Sequence, residues 1–259
     1  MDLTSILKDW PYEPGQITVR VIEGDDGEPK IQVRLDLGLL QMEVAGRPDG
    51  QRPYGFESLL EYYETGLDDF LADSPEGENF QLSADDCRLL REESVQYYHR
   101  YISLLVLGDA DGVVRDTSRN LRVLDLCRQY AERDEDRQVL EQFRSYITMM
   151  RTRALASQMV AANEAKAALL VIDEGIEEIR RLHEEAGHED GGRSTEIQML
   201  QGMRDELVMK LPASQKTELR RRLQEAIEQE NYELAAILRD ELRMMGGGED
   251  LPRPPGTSA

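Results

Sequence analysis

At 259 residues the chain has room for one large domain or two small ones, with length enough to bury a hydrophobic core. A formal net charge of -21 and an isoelectric point near 4.6 set it against duplex phosphate and anionic membrane surfaces. Aromatic residues are only 6% and the mean hydropathy is -0.57, so much of the chain is solvated helix surface.

The opening, M-D-L-T-S-I-L-K-D-W, lacks the basic region and apolar run of a signal peptide. No stretch approaches about 18 apolar residues, so no membrane span is expected and the expected compartment is the cytoplasm. Residues 1–57 are the one segment with strand character. Ile17, Val19 and Val21 alternate, Gly24, Asp25, Asp26 and Gly27 punctuate, and Ile31, Val33, Leu35 and Leu37 alternate again. A third run carries Leu40, Met42 and Val44, with Gly38 read as a bulge inside one long strand. Arg47, Pro48, Asp49 and Gly50 are turn chemistry. A sheet this small needs a cover, and the helix expected over 58–72, with Leu59, Leu60, Tyr63 and Leu67, is the nearest candidate.

After a loop at 73–79 the chain reads as a helical array over 58–190. Ser83 is placed to cap a helix bearing Leu89, Leu90, Tyr98, Ile102 and Leu105. Gly108 to Gly112 breaks it. A second helix carries Val113, Leu121, Leu124, Leu126 and Tyr130, and a third carries Val139, Leu140, Phe143, Ile147 and Met150. Residues 101–153 are loosely similar to tetratricopeptide helix pairs, although the period is not clean and the signature prolines are missing. A long helix is expected over about 154–185, where Leu155, Met159, Ala162, Leu169, Ile172, Ile176, Ile179 and Leu182 step by threes and fours. A long hairpin arm or a coiled-coil seam would each explain it. A further helix begins near Thr195 and ends at Pro212; with the two helices that follow it forms a region over 195–245. Residues 246–259 read as a disordered tail.

The stretch 214–245 is two short amphipathic helices around a bend. Leu219, Leu223, Ala226 and Ile227 form one stripe; Ala235, Leu238, Leu242 and Met245 form the other. Asn231, at the bend, suits a left-handed turn position or an N-cap. The adjacent Ala235 and Ala236 allow close helix contact. The string A-I-x-x-E-N-Y-E-x-A-A-x-L-R-D-E-L resembles the UVR motif, first described in the UvrB and UvrC proteins. Ala226, Ile227, Glu230, Tyr232, Glu233, Ala235, Ala236, Leu238, Arg239 and Asp240 stand at its signature positions. The resemblance implies a bacterial protein with a helical hairpin that pairs with another helical hairpin. The motif also occurs in the activator of the bacterial protein-arginine kinase and in some Clp ATPases. It therefore implies a docking module and does not by itself imply DNA repair.

Chemistry for catalysis or metal binding is not assembled in the sequence. His99 stands alone, His183 and His188 are off one helical face, and no C-x-x-C or H-E-x-x-H occurs. The zinc cysteine pairs of the arginine-kinase activator are missing here. Asp109, Ala110, Asp111 and Gly112 resemble the start of a calcium loop, but Val113 and Asn120 occupy positions that need oxygen ligands, so a helix-breaking turn is expected. No phosphate-binding glycine loop or nucleophile elbow occurs. The paired carboxylates Asp173-Glu174, Glu177-Glu178 and Glu184-Glu185 read as a solvated helix face with Arg180 and Arg181 at ion-pair spacing. Cys87 and Cys127 read as buried free thiols, with nothing to suggest a disulfide. The only basic run is Arg220, Arg221 and Arg222, closely followed by acids.

The expectation is a mainly α protein with a small antiparallel β-sheet, no cofactor and no enzymatic activity. It would act as an adaptor, docking a protein partner or a second copy of itself through Leu223, Ile227, Tyr232, Ala236 and Leu238. Arg239 and Asp240 would orient the contact at its edge. The alternatives, from family analogy, are an accessory of nucleotide excision repair bound to UvrB or UvrC, or a regulator of a protein kinase or Clp protease.

Overall fold

The structure is a computed structural model and describes residues 3–73, 79–187, 194–210, 215–229 and 231–244. It is mainly α, with a three-stranded antiparallel sheet near the N-terminus. The chain divides into two compact units, Met1–Leu207 and Val208–Ala259. Among the described residues no helix is long and apolar enough to cross a membrane.

In the first unit β1 (Val19–Glu23), β2 (Pro29–Leu35) and β3 (Gly38–Glu43) form a meander in that order. Strand alternation puts Ile31, Val33 and Met42 on one buried face, with Val33 opposite Val19 and Ile31 opposite Met42. The other face carries a polar ladder. Arg20 Nε donates to Gln32 Oε1 at 2.9 Å, and Gln32 Nε2 donates to Gln41 Oε1 at 2.8 Å. Lys30 Nζ sits 2.6 Å from both Asp26 and Glu43. Gly38 is not a bulge: Leu35 pairs with it, so the chain reverses at Asp36 and Leu37 and Gly38 opens a separate strand. A short helix, α1 (Thr4–Leu7), precedes the sheet. Trp10 after it lies under the Arg20 guanidinium, 4.0 Å from the ring centroid, and its carbonyl accepts from Arg34 Nε at 2.9 Å.

The sheet is covered by α3 (Ala84–Leu107) and α4 (Ala110–Tyr130), not by the helix expected to cover it, α2 (Leu59–Asp73). Ile31, Val33 and Met42 share a core with Tyr101 and Leu104 of α3 and Val113 of α4. Leu59 and Leu60 of α2 instead enter a second core with Leu82, Cys87, Leu90, Leu124 and Cys127. The cause is polar. Arg100 Nη1 donates to the carbonyls of Gly46 (2.8 Å) and Glu43 (3.2 Å), and Arg115 Nη2 donates to Val44 (3.1 Å), which draws the end of β3 onto α3 and α4. Residues 1–57 are therefore part of the helical body and share its core.

The helix ends follow capping chemistry. Ser83 and Asp86 make a reciprocal capping box at the start of α3. Gly108, at φ 77°, closes α3 in the left-handed region, and Asp109 Oδ1 accepts from Gly112 N at 2.9 Å to open α4. A short α5 (Asp134–Gln138) and a 3-10 turn at Glu141–Phe143 intervene before α6 (Arg144–Ala161), so the third expected helix begins at Arg144. The long helix over 154–185 is two helices. α6 stops at Ala161, Asn163 adopts φ 61°, and α7 (Ala165–Glu185) folds back against α6. A β-carbon added at Gly175 would lie 2.4 Å from the Thr152 side chain, so glycine permits that close approach. The sequence groups α8 (Thr195–Lys210) with the C-terminal hairpin. Its Ile197, Leu200 and Leu207 instead complete the first unit's core with Ile172, Ile176 and Ile179.

Candidate docking site: the C-terminal helical hairpin

α9 (Gln215–Glu228) and α10 (Tyr232–Met244) build the second unit's hairpin. Asn231 resolves the bend as an N-cap. Its Oδ1 accepts from Leu234 N at 3.2 Å, and its own N–H donates to the Ala226 carbonyl at 2.8 Å, closing α9 as it opens α10. Leu223 and Ala226 of α9 meet Ala235, Leu238 and Leu242 of α10 in a small core, with Ile227 packed at its edge. The alanines lie next to the bend, where the helices are forced closest. The start of the expected hairpin at Ser214, the helix stop at Pro212, and Glu230, Met245 and the tail at 246–259 lie outside the described residues.

The residues expected to dock a partner divide between two faces. Leu223 (6% exposed) and Leu238 (3%) are sealed inside the hairpin's own core. Ile227 and Ala236 are half-buried. Tyr232 is 54% exposed, and Arg239 and Asp240 stand beside each other at the edge, 3.5 Å apart. Ile237 (60% exposed) and Leu234 (37%), which the stripe analysis passes over, are also exposed, three apart on one flank of α10, while Tyr232, two residues before Leu234, lies on a different side of the helix. The signal was there: Leu234 and Ile237 are three apart and off the Ala235–Leu238–Leu242 stripe, so a two-stripe reading of α10 finds them. The inner stripe holds the hairpin together, and the outer one is left to solvent. Arg221 pairs with Glu225, so the basic run is offset by its own helix.

The first unit holds two features that local sequence patterns do not reveal. The first is a buried ionic cluster on α3 and α4. Arg100 grips Asp116 through two hydrogen bonds, 2.7 and 2.9 Å, with both side chains at most 1% exposed. Glu93 pairs with Arg119, lies 3.4 Å from Arg47, and accepts from the Leu59 amide at 2.8 Å, which caps the start of α2. The Tyr97 ring has the guanidiniums of Arg119 (4.1 Å) and Arg100 (4.8 Å) against it. Burial pushes the Arg119 guanidinium down to about 9, helped by Arg122 and Arg47 and opposed by Glu64, which still leaves it charged at neutral pH. Each of these two buried carboxylates is thus paired with an arginine. The second feature is an apolar cavity of about 580 Å³ lined by Val95, Tyr98, Tyr101, Leu140, Phe143 and Tyr146, among others.

His183 is within hydrogen-bond distance of Ser145 Oγ at 3.2 Å, burial pushes the His99 imidazole below its ordinary value, and His188 lies outside the described residues. Among the described residues, no three His, Cys, Asp or Glu side chains are gathered as metal ligands would be. Cys87 and Cys127 are buried and free.

No curated protein and no solved structure matches the chain. A family model does match its C-terminal part, over residues 213–246, and that model is described as the UvrB/uvrC motif, UVR. The matched residues span α9, the Asn231 bend and α10, so the hairpin built above is a UVR motif, a type associated with protein interaction and DNA repair.

Proposed function

We propose that this chain is a non-catalytic adaptor that docks a protein partner through the outward face of its C-terminal hairpin. The observation that carries the reading is the division of α10 into two apolar stripes within a UVR motif. The inner stripe is consumed by the hairpin core, and Tyr232, Leu234 and Ile237 face solvent. Burying an isoleucine that is 60% exposed gains on the order of 1–2 kcal/mol, and Leu234 and Ile237, three apart, make a small anchor of the helix-in-groove kind, with Tyr232 exposed on another side of α10. The charged pair Arg239 and Asp240 at the edge supplies orientation rather than affinity. The charge of -21 argues for a protein surface over nucleic acid. A catalytic role has less support, since the buried carboxylates are held by arginines as structural pairs.

The test is affinity capture with the full chain, wild type against a Tyr232→Ala, Ile237→Asp double variant, with circular dichroism to verify the fold. A partner retained by wild type and lost by the folded variant supports docking on this face. Equal retention by both contradicts it.

A further inference from the structure

The chain's only two cysteines, 40 residues apart in sequence, meet inside the α3–α4 hairpin. Both are 0% exposed, both are free, and both belong to the core that includes Leu82, Leu90 and Leu124. The hairpin register sets them opposite each other without reference to the thiols. On one side Asn120 Nδ2 donates to the Ser94 carbonyl at 3.0 Å, and about two helical turns from that pair, back along α3 and onward along α4, lie Cys87 and Cys127. On the other side the Glu132 amide donates to the Leu82 carbonyl at 2.9 Å, and the inward steps from Leu82 and Glu132 reach the same two positions. Between these clamps the two side chains take matching positions of the hairpin, fully buried in one core.

The surface nearest Cys87 is closed by charge. Arg91 Nη1 lies 2.6 Å from Asp136 Oδ1, and both groups act electrostatically on Cys87. Asp136 belongs to α5, which has five residues and no side-chain N-cap, so opening it disturbs little of the core. The neighbouring Cys127 pulls the Cys87 thiol below its ordinary value against burial, and Cys87 together with burial pushes Cys127 up.

We propose that Cys87 and Cys127 are a redox modification site: a peroxide-class oxidant closes them into a reversible disulfide, with the Arg91–Asp136 ion pair as its cover. The Cys87 thiol gives up its proton and the thiolate attacks one oxygen of hydrogen peroxide; the O–O bond breaks, and the departing hydroxide takes up that proton, so a sulfenic acid and one water result. The Cys127 sulfur then attacks the Cys87 sulfur. Its S–H proton leaves with the displaced hydroxyl as a second water. Two thiols lose two electrons, and one peroxide becomes two waters. The product ties α3 to α4 across a loop of about 40 residues, which restricts the unfolded chain.

The test exposes the full chain to hydrogen peroxide and maps it by non-reducing tryptic digestion. The expected product joins residues 123–128 to the fragment ending at Arg88, and dithiothreitol releases it. The oxidised protein melts higher by roughly 5–15 °C. Cys127→Ala shows neither the cross-link nor the shift, and Asp136→Asn cross-links faster at the same peroxide dose. Cys127 remaining free while Cys87 is over-oxidised, or a cross-link only between chains, overturns the site. An unchanged rate in Asp136→Asn overturns the cover.

Discussion

The helical body and the C-terminal hairpin spend their apolar residues differently. The body buries two extended cores and still has interior room for an arginine–aspartate pair at most 1% exposed. Among its described residues the hairpin buries Leu223, Ala226, Ala235, Leu238 and Leu242, while Tyr232 and Ile237 remain more than half exposed. Two helices of 14 and 13 residues around so small a core are near the lower limit of helix stability. Under the proposed reading, one region persists alone and the other gains from a partner.

The comparison breaks most visibly if the body is less robust than its burial suggests. Asp116→Ala leaves the Arg100 guanidinium charged, buried and without its carboxylate. The expected loss is about 3–5 kcal/mol from the body, read as a lower midpoint in chemical denaturation. Hairpin unfolding should track separately. Leu238→Ala removes the centre of the hairpin core at a local cost of about 2–4 kcal/mol. It should abolish amide protection across α9 and α10 in hydrogen exchange and leave the body's midpoint unchanged. If the body's midpoint falls too, the two units are not energetically distinct.

A finer comparison uses single caps. Asn231→Ala removes the acceptor for Leu234 N and should cost the hairpin about 1 kcal/mol. In the body, Asp86 caps α3 at Ser83. Burial raises its carboxyl, but hydrogen bonds from Tyr63 and Ser83 outweigh this and hold it below its ordinary 3.8. Its contribution is therefore complete above about 3.8 and is lost as pH falls through the lower folded value. Hydrogen exchange at the first turn of α3 should speed up in that acid range, and a Ser83→Ala variant should flatten the response.

Much of the local architecture is legible in the residues. Ser83, Gly108, Asp109 and Asn231 declare their helix ends because capping is a short-range property. The strands show through their period of two, and the inner stripe of the hairpin through its steps of three and four. What stays hidden is set by distant partners. Asn163 breaks an alanine-rich pattern with no glycine or proline to announce it. Arg100 and Asp116 meet across a hairpin, and nothing local in either helix says that the pair will be buried. The sheet's cover is hidden for the same reason, since arginine contacts to the Glu43, Val44 and Gly46 carbonyls draw α3 and α4 onto it. In the docking site, the stripe that packs was easier to see than the stripe left exposed, and a single apolar pattern per helix merges the two.

The most direct measurement is hydrogen exchange on the full chain, alone and bound to the captured partner. The account predicts that new protection concentrates on α10 around Tyr232, Leu234 and Ile237. Protection that appears instead around Val95, Tyr98 and Phe143, at the apolar cavity of the body, with α10 unchanged, would contradict it.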